Sequence, residues 1–180
     1  MRWFALLLLV GCFGTSQADR HCMSKKAGAG DACLRAGRAA MEGISRRKDP
    51  ERAAELWEQG CRLGNGESCV ALAAAHKSGE MGEPDLLEAK RVLQIGCDGT
   101  SATSCTALAE LATELGKDKH VVRALRRGCN KDDRQACKDL AEAQKASGDH
   151  DAAREAWTRA CRLGDDHACN VIDGVAPSKD

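Results

Sequence analysis

Tyrosine is absent from this chain, and its aromatic side chains are three tryptophans and two phenylalanines. Trp3, Phe4 and Phe13 lie in the first thirteen residues, so Trp57 and Trp157 stand alone among many alanines. Side chains this small bury little apolar area per residue, which argues against an array held together by its core alone. Net charge is also missing: 27 basic residues balance 27 acidic ones. Composition therefore supplies no pull toward nucleic acid or an acidic membrane surface, and no nucleic-acid partner is expected. The motifs C-x-x-C and C-x-x-C-H do not occur, which leaves a thioredoxin-like redox centre and covalently attached haem without support.

Cysteine is plentiful, with eleven residues. In the stretch Gly60 to Cys69, two cysteines eight apart flank a polar, glycine-containing turn, each behind a small residue. The device recurs at Cys97/Cys105, Cys129/Cys137 and Cys161/Cys169, with first cysteines 36, 32 and 32 residues apart. Cys33 is in register as a second cysteine, and Cys22 is its first, at a spacing of eleven. The longer period arises where Ser78 to Asp85 does the work of Ser147 to His150, adding four residues to a loop between repeats.

Each repeat reads as two helices, here called A and B. Before the first cysteine, small or apolar residues fall eight, five, four and one positions back: Ala89, Val92, Leu93 and Gly96 in one unit, Ala153, Ala156, Trp157 and Ala160 in the last. With the cysteine they form one stripe of an amphipathic helix A. Glu55, Glu58, Arg91, Arg123, Arg126 and Arg154 occupy other positions. Helix B carries the second cysteine behind Ala32, Ser68, Ser104, Ala136 or Ala168, small residues that imply close approach of two helix axes. Pro50 and Pro84 suit the start of A helices, and Gly79, Gly116 and Gly148 the end of B helices. The ends depart from the unit. The first pair is expected to lack an A helix, residues 31 to about 45 to form a lone starting helix, and the last B helix to stop near Ile172.

Residues 1–18 read as an export signal: Arg2, the apolar run Trp3 to Val10, then small and polar residues. The run is too short for a permanent membrane span. Two processing routes are open. Leu9-Val10-Gly11-Cys12 resembles a bacterial lipobox, which would end the signal at residue 11 and acylate Cys12; Ser16-Gln17-Ala18 resembles a signal-peptidase site before Asp19. Either leaves ten cysteines in five close pairs, an even number that suits disulfides. A cysteine ending helix A and one starting helix B meet across the turn, within reach of a disulfide. Each link is worth ~2.6 kcal/mol in the chain-entropy model. The competing reading is thiol–metal ligation, but no histidine holds a constant place: His21, His76, His120, His150 and His167 are scattered.

Paired helices of about 36 residues, small residues beside the turn and Cys-x7-Cys in each unit resemble disulfide-bearing Sel-one-like repeats, of which the cysteine-rich repeat proteins of Helicobacter are one type. The resemblance covers residues 22 to about 173; departures are the 32-residue units, the Cys22/Cys33 spacing and the missing tyrosine. It implies an all-α, right-handed α/α solenoid of disulfide-linked antiparallel helix pairs within the tetratricopeptide-like superfamily. The expected organisation is an atypical half repeat at 19–48, a repeat array at 49–173 and a polar tail at 174–180.

The same resemblance brings an association with penicillin binding and weak β-lactam hydrolysis. Ser45-Arg46-Arg47-Lys48 matches the Ser-x-x-Lys nucleophile motif, but the Ser-Asp-Asn and Lys-Thr-Gly elements of that chemistry do not occur. His120, His150, Asp151, Asp165, Asp166 and His167 would make a hydrolytic or metal cluster only if the fold gathered them; acidic residues at helix starts are otherwise explained by capping. No catalytic residue, metal or cofactor is therefore assigned. By analogy with tetratricopeptide arrays, A helices line the concave side. Arg91, Arg123, Arg126, Arg127, Arg154 and Arg159 would then form a basic stripe interrupted by Glu88 and Glu155, suited to an acidic peptide or carboxylate ligand. The reading is an exported, monomeric, non-catalytic binding or scaffolding module, periplasmic or extracellular, with a membrane attachment only if Cys12 is acylated. A β-lactam-binding or -hydrolysing protein is the alternative.

Overall fold

The computed structural model describes residues 17–24, 26–44, 47–99 and 101–174. The proposed export signal through residue 16, with Cys12, lies outside these residues, as do Ser45, Arg46 and the tail beyond Gly174. The described residues form ten helices: α1 (Gln17–Cys22), α2 (Ala29–Glu42), α3 (Pro50–Arg62), α4 (Gly66–Ser78), α5 (Leu86–Asp98), α6 (Ala102–Glu114), α7 (Asp118–Asn130), α8 (Arg134–Ala146), α9 (His150–Arg162) and α10 (Asp166–Gly174). No strand occurs among them, and no helix is long and apolar enough to cross a membrane. Odd-numbered helices are the A members and even-numbered ones the B members.

The helices begin where the chain supplies a cap. Asp49, Asn65, Asp85, Ser101, Asp133, Asp149 and Asp165 each accept a hydrogen bond from a backbone N–H two or three residues on. Each such cap is worth about 1 kcal/mol. A six-residue helix, α1, stands where no A helix was expected; it starts two residues before the expected signal-peptidase cut and buries Cys22. The last B helix runs to Gly174, two residues past the expected stop.

Packing is nearly one-dimensional, because each helix contacts its neighbours in sequence and otherwise mainly the helix two places on. Disulfides join Cys22–Cys33, Cys61–Cys69, Cys97–Cys105, Cys129–Cys137 and Cys161–Cys169, with Cα atoms 4.4 to 4.8 Å apart. The residue before each first cysteine explains how these turns stack. A Cβ placed on Gly96 would lie 2.7 Å from Cβ of Ser104 in its own pair and 2.8 Å from Sγ of Cys69 in the preceding pair. At Gly60 the corresponding neighbours are Ser68 Cβ at 2.8 Å and Cys33 Cβ at 3.0 Å. At Gly128 they are Ala136 Cβ at 2.7 Å and Cys105 Cβ at 3.4 Å. Glycine therefore lets helix A touch its own helix B and the previous disulfide together. The turns also stack through polar atoms, since Ser104 Oγ donates to the Gly66 carbonyl at 3.4 Å and Asn65 Nδ2 to Asp31 at 2.7 Å.

Three apolar clusters follow one another along the axis, and the two larger ones hold Trp57 and Trp157 respectively. The Trp57 indole packs so tightly on α2 that a Cβ at Gly37 would lie 2.5 Å from its Cδ1, and Trp57 Nε1 donates to the Leu34 carbonyl at 3.3 Å.

Gly96→Ala tests this arrangement. Helix propensity alone would favour alanine by about 1 kcal/mol. The crowded Ser104 and Cys69 atoms should reverse the sign and destabilise the protein by about 1–3 kcal/mol, read as a lower urea midpoint with an unchanged slope.

Candidate functional site

The fold divides the A helices into an inner stripe that is small or apolar in every full unit and an outer one of changing character. Eight, five, four and one positions before the first cysteine stand Ala53, Leu56, Trp57 and Gly60 in α3 and Ala89, Val92, Leu93 and Gly96 in α5. Val121, Ala124, Leu125 and Gly128 follow in α7, and Ala153, Ala156, Trp157 and Ala160 in α9. All are buried except Val121, which is half-buried. Ten, six and two positions back the chain turns outward, and there the units differ. The residues are Glu51, Glu55 and Gln59 in α3, Leu87, Arg91 and Ile95 in α5, Lys119, Arg123 and Arg127 in α7, and Asp151, Glu155 and Arg159 in α9. Along the array this face runs from acidic to partly apolar to basic to mixed.

The six arginines of the expected stripe are held unequally. Glu88 accepts from Arg91 Nε at 2.8 Å and also from its Nη2. That hydrogen bond holds the Glu88 carboxyl below the usual carboxylate range, against a smaller opposing effect of burial. Arg127 reaches from α7 to Asp98 at the end of α5. Arg154 pairs with Asp151 at 2.5 Å, while Arg159 bonds Asp132 at 2.9 Å and Asn130 in the preceding turn. Arg123 and Arg126 are exposed and enter none of the ion pairs formed among the described residues. Glu155, the second expected interruption, is exposed on α9.

The histidines and carboxylates considered for catalysis are dispersed. His120 is exposed in the first turn of α7. His150 and Asp151 open α9 beside Arg154 and Trp157. Asp165 caps α10, Asp166 is exposed, and the His167 ring meets the Trp157 ring edge-on at 5.7 Å between centroids. Among the described residues, no group of three or more His, Cys, Asp or Glu side chains is placed to hold a metal ion. Burial raises the carboxyl of Asp139 on α8 above its ordinary pKa, outweighing the hydrogen bond from Gln135.

Sequence reasoning missed a groove between α5 and α7, where Lys90, Lys117 and His120 join Arg123 and Arg127. Lys117 carried a legible signal. It occupies the N-cap position, twelve residues before the first cysteine, where the other full units have Asp49, Asp85 and Asp149. Those three side chains cap their helices, and Lys117 makes no such hydrogen bond.

No family model matches the chain, and no curated protein matches it. Solved structures do. A Sel1 repeat protein from Oxalobacter formigenes superposes with a TM-score of 0.58 at 17% identity, over 81% of this chain and 63% of that one. A protective antigen of uropathogenic Escherichia coli with an SLR fold gives a TM-score of 0.59 at 21% identity, over 86% of this chain and 35% of that one. The chain thus spans less than two thirds of either protein. MamA gives 0.51 at 14% identity, over 87% of this chain and 99% of that one. The ten helices of the described residues, in successive pairs that superpose on these solenoids, have the Sel1-like repeat fold, with a disulfide closing each pair.

Proposed function

We propose that this chain is an exported, non-catalytic scaffold that binds a protein or peptide on the outward face of its A helices. The observation that carries this reading is the contrast between the two stripes of those helices. Positions that face inward keep small or apolar residues from unit to unit, and positions that face outward change charge and polarity with every unit. An array that serves only to fold has no need of such a graded face; a binding surface assembled from repeats does. The solved solenoids support this use of the fold by analogy alone. A framework locked at every hairpin loses little freedom when a partner binds, so contacts convert into affinity with a small ordering cost.

Export is supported by the five disulfides, which form and persist in oxidising compartments, together with the N-terminal signal pattern. Whether the product carries a lipid anchor turns on Cys12. The β-lactam alternative gains no observation in its favour, since Ser45 lies outside the described residues and its partner motifs do not occur.

Panning a random peptide library against the oxidised protein tests the scaffold reading. Selected binders should weaken on Arg91→Glu, Arg123→Glu or Glu55→Lys, with the thermal midpoint unchanged. Binders that map only to B helices would contradict it, as would chromogenic cephalosporin turnover abolished by Ser45→Ala.

Intact mass of the full chain expressed in an export-competent bacterium tests the compartment. The expected product lacks its N-terminal segment and has its ten remaining cysteines blocked to alkylation. A diacylated Cys12 would mark the anchored form, and ten free thiols would overturn export.

A further inference from the structure

The groove between α5 and α7 has a composition unlike the rest of the A-helix face. It is partly open to solvent and holds about 60 Å³ of accessible space, small beside a drug-sized ligand site and on the scale of one side chain. Leu108, Leu111 and Leu115 of α6 line it, and no carboxylate does. Its basic residues come from three segments: Lys90 from α5, Lys117 from the α6–α7 turn, and His120, Arg123 and Arg127 from α7. Asp98 engages Arg127, whereas Lys90, Lys117 and Arg123 enter none of the ion pairs among the described residues.

Two departures from the repeat pattern converge here. Leu87 shares a helix face with Lys90 and Gln94, at i, i+3 and i+7, and is 80% exposed. An exposed leucine alone is ordinary. At the same register, however, the other units place Glu51, Lys119 and Asp151, so Leu87 puts an exposed apolar side chain one turn from Lys90, beside the groove rather than in its lining. The second departure is Lys117. The other A helices of the full units start on a capping aspartate, but α7 has a lysine there, followed by Asp118, Lys119 and His120 in its first turn. Cations at a helix N-terminus oppose its dipole, and in place of a side-chain cap the His120 N–H donates to the Lys117 carbonyl at 2.8 Å.

We propose that this groove seats an acidic peptide segment with an aliphatic anchor. The anchor lies on the leucines of α6, and flanking Asp or Glu side chains bind Lys90, Lys117 and Arg123. Cations drawn from three segments around the rim match several carboxylates along a chain better than a single anionic headgroup. The inference rests on the scaffold reading and names the partner class for one part of that face.

The test uses the oxidised full chain and a set of fluorescein-labelled twelve-residue peptides with one or two leucines among Asp and Glu, followed by anisotropy near physiological salt. Replacing the leucines by serine, or the acids by their amides, should each weaken binding about tenfold or more. Arg123→Glu should do the same, and Glu42→Lys at the end of the B helix α2 should leave affinity within about twofold, the range expected of a remote screened charge. Lys117→Asp separates this role from a structural one: restoring the cap should raise the urea midpoint while binding falls about tenfold. Equal binding of the leucine-free peptides, displacement by dodecanoate at lower concentration than by unlabelled peptide, or indifference to Arg123→Glu and Lys117→Asp would each overturn the proposal. So would failure of the whole set to bind. If library-selected peptides still mapped to the A-helix face, that failure would fall on this inference alone; with no such binders, the scaffold reading would fall too.

Discussion

The contact between the glycine before the first cysteine and the disulfide of the preceding hairpin, made in α3, α5 and α7, sets the geometry of the array. An added Cβ at Gly60 or Gly96 would crowd a small residue of its own pair and a cysteine of the pair before, and one at Gly128 would crowd Ala136 and touch Cys105. Covalent linkage and close packing therefore occur at the same place in these three units, and α9 has the small, buried Ala160 there. The disulfide fixes the angle between two helices, and the glycine presses the next hairpin against it. This explains how a chain with two tryptophans in its folded part and alanine at many buried positions holds together. Apolar area per repeat is small, and unfolded-chain entropy removed by the cross-links supplies the balance. Side-chain caps add to it at seven of the ten helix starts among the described residues, and the Asn65 cap also touches Asp31 in the first turn of α2.

A frame specified so heavily at its turns leaves the outward side chains of the A helices under little structural demand. They vary by unit, and their ion pairs are exposed ones that contribute little to stability. Their arrangement still has consequences. Pairing with Glu88, Asp98, Asp151 and Asp132 neutralises four of the six expected arginines, which concentrates the remaining positive charge on α7 and the turn before it. The stripe inferred from the sequence thus becomes a local basic rim over leucines. The break in the capping pattern at Lys117 falls at that rim.

Features that repeat were legible in the sequence, and features built once were not. The cysteine register, the small residues beside it and the inward stripe each recur at fixed offsets, so four copies outweighed weak signals in any one. The Arg91–Glu88 pair is three residues apart on one helix and is readable in that sense, whereas Arg127–Asp98 joins residues 29 apart and needs the stacking of α7 beside α5. Gly37 gave no sign of its role, because the Trp57 indole it admits arrives from the next helix. The helix at Gln17–Cys22 has too few residues to show a period, and the groove needs side chains from three helices and a turn. Lys117 was the exception, a single substitution at a repeated cap position that comparison of the units exposes.

If disulfides and close turn packing replace a large core, oxidation state must control folding of the whole array. The direct measurement is far-ultraviolet circular dichroism of the mature protein during heating, recorded oxidised and after complete reduction under native conditions. The account predicts a cooperative helical melt for the oxidised protein and loss of most helical signal at room temperature once all five links are reduced. Superimposable melts of the two forms would contradict it.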